Sequence, residues 1–191
     1  MNDLPGLKLF GALSRTSHGL LDMATPAVSA LLCLGSIPSP GVLVLGLVTA
    51  FAGYTAIYAL NDVVDYRVDR VKLKHISIGD PARDSGHDLD AVYVRHPLAQ
   101  GLLPLWHGIL WALGWSVIAL VGAYWLNPVC AAIFVAGAAL ETTYCLLLKI
   151  SSLRVLVTGV VKTLGGLAAA FAVDPSPPIL FLLVLFLWLF T

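Results

Sequence analysis

The chain has 191 residues, 59% of them apolar and only 12% charged, with a mean hydropathy of +0.89. A soluble domain sits nearer half apolar and a quarter charged, so composition excludes that class and leaves an integral membrane protein embedded in a lipid bilayer. Eleven basic residues balance eleven acidic ones, which excludes a globally basic nucleic-acid binder.

Met23 to Asn61 and Pro97 to Leu140 contain no Asp, Glu, Lys or Arg. Each run is long enough for two helices at roughly 20 residues per crossing. The runs are continuous rather than alternating, which favours helices over a barrel. The first predicted span covers about 22–36 and is broken at Ser36-Ile37-Pro38-Ser39-Pro40. The second covers about 41–60. A polar loop, 62–100, follows, and the stretch from Asp62 to Arg95 holds thirteen of the 22 charges. The third span is predicted over 104–125, with Asn127-Pro128 as the turn, and the fourth over 128–147. The fifth covers 154–173 and ends at Asp174-Pro175-Ser176-Pro177-Pro178. The sixth, 179–191, has thirteen residues, too few to cross a bilayer alone.

The expected fold is therefore all-α, a polytopic transmembrane helical bundle forming one membrane domain. Ten of the eleven basic residues fall before span one, between spans two and three, or between spans four and five. The positive-inside rule then puts the N-terminus and the 62–100 loop in the cytoplasm. The eleventh, Lys162, lies inside span five. Cys33, Cys130 and Cys145 all fall in apolar spans at spacings that suit packing rather than a metal or disulfide framework.

The most informative segment closes span two: Tyr58-Ala59-Leu60-Asn61-Asp62-Val63-Val64-Asp65-Tyr66-Arg67-Val68-Asp69-Arg70. On a helix turning about 100° per residue, Asp62, Asp65 and Asp69 fall within roughly 60° of arc, with Tyr58 inside it and Asn61 at its edge. Like charges at this spacing repel, and the negative helix C-terminus prefers cations. The arrangement therefore calls for a neutralising cation. Mg²⁺ suits it, because Mg²⁺ takes oxygen ligands, keeps waters and is often held by one or two carboxylates plus substrate phosphates. The plainer alternative is a solvated helix end whose carboxylates pair with Arg67 or Arg70.

Asn61-Asp62-Val63-Val64-Asp65-Tyr66-Arg67-Val68-Asp69 resembles the N-D-x-x-D-x-x-x-D motif of UbiA-type intramembrane prenyltransferases. Arg95-His96-Pro97-Leu98-Ala99-Gln100-Gly101 resembles the family's R-P-L-x-x-G segment before span three, with a His inserted after the Arg. Tyr144-Cys145-Leu146-Leu147-Leu148-Lys149 resembles the Tyr-Ser-x-x-Leu-Lys pattern closing span four, and Lys162-Thr163-Leu164-Gly165-Gly166 the basic-residue-then-Gly pattern of span five.

The resemblance implies a bundle with a cavity opening toward the cytoplasm, and Mg²⁺-dependent transfer of a prenyl group from a polyprenyl diphosphate to an acceptor, often aromatic. It implies Asp62, Asp65 and Asp69 as metal ligands, Asp62, Asp65 and Tyr144 as catalytic residues, and Asn61, Arg95, Lys149, Lys162 and Tyr58 as substrate-binding residues. Tyr54, Tyr58 and Tyr144 are candidates to face a developing carbocation, with packing as the other role open to them. Lys162 and Glu141 are the charges within spans, where ionisable groups are usually functional. They are expected either to pair with each other or, for Lys162, to reach a diphosphate or an acceptor carboxylate. Arg15 reads as a membrane-edge anchor that could also touch the acceptor.

The resembled family has about nine spans and a second Asp-rich motif after span six, whereas this sequence shows about six spans and no second motif. A fragment, half of a split enzyme completed by a second polypeptide, or a degenerate homologue would each account for that, and the isolated chain is expected to have weak or no transferase activity. The alternative from another class is a non-catalytic membrane subunit that binds prenyl lipid or ions.

Overall fold

A computed structural model describes residues 6–76, 96–147 and 154–190. Eight helices occur among them: α1 (Gly6–Leu13), α2 (Thr16–Asp22), α3 (Ala24–Leu34), α4 (Pro40–Ile76), α5 (Leu105–Leu126), α6 (Pro128–Leu147), α7 (Arg154–Val173) and α8 (Ile179–Phe190). There is no strand among the described residues. By length and composition, five segments can cross a membrane: Thr16–Leu34, Pro40–Val71, Leu105–Leu126, Pro128–Cys145 and Val155–Val173. Helix α8, at 12 residues, is shorter than the hydrocarbon thickness.

The helix boundaries follow local chemistry. Gly35 adopts the left-handed conformation (φ 67°) and its N–H closes α3 on Leu31 O, a C-cap that glycine adopts without a Cβ penalty. Pro40 then opens α4 and Pro128 opens α6, at first-turn positions where a missing N–H costs nothing. Asn127 caps α6 by accepting the Val129 N–H at 2.9 Å. Its amide nitrogen donates to Phe171 O at 3.1 Å, fastening the start of α6 to the end of α7. Two differences from the sequence expectation matter for the site. The crossing segment near the N-terminus begins at Thr16 rather than 22, with α2 and α3 meeting at Met23. Helix α4 does not stop at residue 60: it runs through 62–76, so the start of the expected loop is helix.

Helix α4 packs chiefly along α5, and α7 lies against α3, α6 and α8. Small residues allow these approaches, as in membrane interfaces generally. At Gly122 an added methyl would overlap Thr49 Oγ1 on α4. Gly122→Ala should therefore push α4 and α5 apart and destabilise the chain by about 1–3 kcal/mol, read as a lower thermal midpoint in detergent. A second close approach is the plug formed by residues 97–103. Leu98, 1% exposed, joins Leu13, Ala59, Leu103 and Ala112 in one cluster. Its methyls sit 2.9–3.0 Å from where a Gly108 Cβ would be. Leu98 thereby pins the chain just after His96 against α1, α4 and α5.

Candidate functional site

The site gathers along one face of α4, in two stretches that follow each other along the helix. The first stretch faces a cavity of about 870 Å³ between α2, α3, α4, α6 and α7. Its apolar wall includes Leu31, Leu43, Leu47, Phe134 and Ala168, and its polar wall Arg15, Asp22, Tyr54, Tyr58, Asn61, Glu141, Tyr144 and Lys162. This is the amphipathic shape of a substrate with one charged end and a hydrocarbon tail.

Two polar relays cross the cavity wall. Asn61 donates its amide N–H to Glu141 Oε1 at 2.7 Å and accepts from the Cys145 thiol at 3.0 Å. Glu141 is 9% exposed and Cys145 6%, so α4 and α6 are joined by a buried chain whose two ends fix which way the Asn61 amide points. On the other wall the Tyr58 hydroxyl donates to the Asp22 carboxylate, and the Arg15 guanidinium lies 5.9 Å from the Tyr58 ring centre. The expected Glu141–Lys162 alternative is not what forms: Glu141 takes Asn61, and Lys162 stays exposed at the cavity wall. Glu141→Leu should cost about 1–3 kcal/mol, because it leaves the Asn61 amide N–H without its acceptor in a water-poor site. Glu141→Gln keeps an acceptor oxygen there and should recover most of that loss in a thermal-unfolding comparison.

The next turns along the same face of α4 carry the carboxylates. Asp62 and Asp69 are 5% and 8% exposed. Their partners come from outside the motif. Arg15 Nη2 lies 3.7 Å from Asp62 Oδ1. His96 Nδ1 lies 3.4 Å from Asp62 Oδ1 and 3.2 Å from Asp69 Oδ2. The nitrogen is buried at ion-pair distance from both oxygens yet aligned for a full hydrogen bond with neither. Contact with Asp62, reinforced by Asp69, holds the imidazole above its ordinary pKa against the opposing effects of burial and Arg15. Asp65 is half-buried on the same helix and is also engaged. Arg67 is exposed, and Arg70 donates to the Tyr66 hydroxyl at 3.0 Å.

Arg15 therefore does more than anchor the chain at a membrane edge. It lines the cavity and touches Asp62, joining the cavity to the carboxylates. Its position follows from the break between α1 and α2: Ser14, 1% exposed, accepts from Trp111 Nε1 at 2.8 Å, which holds the turn against α5. Arg15 and His96 share a further property. They are the two non-glycine residues with positive φ among the described residues, at 43° and 52°. A left-handed L-residue costs roughly 1–2 kcal/mol, and such outliers persist only where surrounding packing imposes them.

The structure thus brings together Asp62, Asp69 and, on the cavity side, Asn61, Tyr58, Tyr144 and Lys162. Arg95 and Lys149 lie outside the described residues. Four participants were missed by local sequence reasoning: His96, Cys145, Asp22 and the role of Arg15. The His inserted between Arg95 and Pro97 was the one visible signal among them.

Among the described residues, no three His, Cys, Asp or Glu side chains form a preformed metal centre. The carboxylates nonetheless suit a single cation. Asp62 and Asp69 both reach the same buried nitrogen, and Mg²⁺ characteristically uses one or two protein carboxylates with waters and phosphate oxygens completing its shell.

The model of the UbiA prenyltransferase family matches residues 23–191. Among solved structures, the fold is similar to one described as "Structural and mechanistic insights into the biosynthesis of Digeranylgeranylglyceryl phosphate synthase in membranes", at 17% identity and TM-score 0.75, over 96% of this chain and 58% of that one. It is also similar to a UbiA homolog from Archaeoglobus fulgidus bound to DMAPP and Mg²⁺, at 18% identity and TM-score 0.69, over 93% of this chain and 58% of that one. The same homolog bound to GPP and Mg²⁺ gives 17% identity and TM-score 0.67, over 95% and 60%. The chain thus spans 58% to 60% of the solved structures it resembles. No curated protein matches it.

Proposed function

Because the chain belongs to the UbiA prenyltransferase family, we propose that it binds a polyprenyl diphosphate through Mg²⁺ and transfers the prenyl group to an acceptor within the membrane. The observation that carries this reading is the pairing of two buried, convergent carboxylates with a largely apolar cavity one turn away along the same helix.

In this reading Asp62, Asp65 and Asp69 hold the metal, which when bound supplies charge neutralisation of the diphosphate leaving group. Lys162, which forms no ion pair among the described residues, offers a cation at the cavity wall to the diphosphate or to an anionic group of the acceptor. Arg95 and Lys149 are assigned to the same substrate on the family pattern. Asn61 is held by Glu141 and Cys145 with its amide oriented. The faces of Tyr58 and Tyr144 line the space where the allylic carbon loses its leaving group, and cation–π attraction there favours the developing charge. The apolar wall excludes water, which would otherwise capture that carbocation. The N-terminus and the acidic end of α4 are assigned to the cytoplasmic face from the distribution of Lys and Arg.

Equilibrium binding of geranyl thiodiphosphate, an analogue that resists ionisation, tests the reading. The chain in lipid nanodiscs should bind it with Mg²⁺ and release it on chelation. Binding indifferent to chelation would favour a non-catalytic prenyl-lipid binder instead.

A further inference from the structure

Building on the metal-site reading above, we infer that His96 and Arg15 form a built-in side-chain clamp that occupies the Asp62–Asp69 site when no divalent cation is bound and must withdraw for one to enter. His96 Nδ1 sits between the two carboxylates, at 3.4 Å and 3.2 Å, and Arg15 takes Asp62 at 3.7 Å. An ion bound by both carboxylates competes for that same space and for the same negative charge.

Three features show that the clamp is constructed rather than incidental. First, its two members are the two left-handed non-glycine residues of the described chain, and both touch Asp62. Strain of this kind collects at functional elements that have a second arrangement available. His96 also precedes Pro97, and a residue before proline is biased toward extended backbone, which sets it further from its resting conformation. Second, each member is aimed by a buried neighbour. Leu98 is locked against Gly108, and Ser14 is held by Trp111. Third, the carboxylates need a counter-charge in the absence of metal. Asp62 and Asp69 lie on one face of α4 and are almost fully buried, where unpaired charge is very costly. Arg15 brings such a charge to Asp62, the His96 ring fills the space between the two carboxylates, and withdrawal of the imidazole frees the strained turn.

The clamp lowers apparent metal affinity by the fraction of time the site is open, so a site open about one-tenth of the time binds about tenfold more weakly than an unobstructed one. Mn²⁺ is the probe, titrated by electron paramagnetic resonance at fixed pH into the full chain in nanodiscs. Asparagine tolerates the left-handed region, so His96→Asn removes the imidazole while keeping the turn. His96→Asn should tighten Mn²⁺ binding by about tenfold. His96→Gly, which accepts positive φ with no penalty, should do the same and guards against a folding defect in the first variant. Mn²⁺ binding by the wild type that is unchanged within twofold in both variants would overturn the clamp and leave the metal site standing. Weaker binding in both would overturn it too, since the imidazole would then be a ligand. No Mn²⁺ binding by any of the three chains would overturn the metal-site reading and the clamp with it.

Discussion

Asp62→Asn should weaken Mg²⁺-dependent binding of geranyl thiodiphosphate by about 100-fold or more, equivalent to about 2.7 kcal/mol. The substitution keeps the shape of the side chain and removes its charge. Asp62 is the carboxylate at which the site converges: Arg15 and His96 both reach its Oδ1. Neutralising it leaves Asp69 as the remaining buried acid of the convergent pair, with the half-buried Asp65 beside it, and Mg²⁺ loses one of its three charged ligands at the point where the site is driest. The protein itself should tolerate the change better than the ligand does. The Arg15 side chain is about a third exposed, at 37%, so water can solvate the charge that Asp62 releases, and His96 Nδ1 keeps Asp69 Oδ2 at 3.2 Å. A fall in binding with a nearly unchanged thermal midpoint is the expected signature. Equal loss of both would mean that Asp62 acts mainly as a structural partner of Arg15.

Leu98→Ala should produce the largest loss of stability, about 2–5 kcal/mol, the range for deleting a buried leucine side chain. Leu98 is 1% exposed and fills the space left by Gly108 between α1, α4 and α5. Glycine at 108 lets the leucine approach the α5 backbone, so little nearby can collapse into the vacancy. The consequence extends beyond packing. Leu98 is two residues from His96, and loosening the plug lets the imidazole leave Asp62 and Asp69 more often. Thermal unfolding should show the stability loss, while Mn²⁺ titration at a temperature where the variant remains folded should show tighter binding. Destabilisation with no gain in metal affinity would mean that His96 holds its position without help from Leu98.

Much of the architecture was readable because a membrane imposes it residue by residue. Long apolar runs mark the helices at 105–126, 128–147 and 154–173, with Asn127-Pro128 dividing the first two and a proline-rich turn closing the third. The acidic face of α4 was equally readable, since it needs only helical periodicity over eight residues. What could not be read was what meets that face. Arg67 and Arg70 are the nearest basic residues in sequence, but the contacts to Asp62 come from Arg15 and His96, far away along the chain. Local periodicity carries no information about such partners. The same holds for Glu141, whose partner Asn61 lies 80 residues earlier. Two boundaries were missed for a different reason. The polarity of residues 62–76 suggested loop, yet the sequence there contains no Gly or Pro to stop a helix, so α4 continues past the apolar region. Thr16–Asp22 was too polar to be counted as part of a span, and only its packing against α4 through Gly19 and Tyr54 shows it as the entry to the bundle.

In the proposed function, the acidic end of α4 holds a divalent cation that in turn holds a diphosphate. Electron–nuclear double resonance on Mn²⁺ bound to the chain with geranyl thiodiphosphate tests it most directly, because ³¹P coupling to the metal appears only when a phosphate oxygen is in its coordination shell. A resolved ³¹P coupling is expected in the wild type and should disappear in Asp62→Asn. Mn²⁺ and the diphosphate bound together without ³¹P coupling, or a coupling that survives Asp62→Asn unchanged, would contradict it.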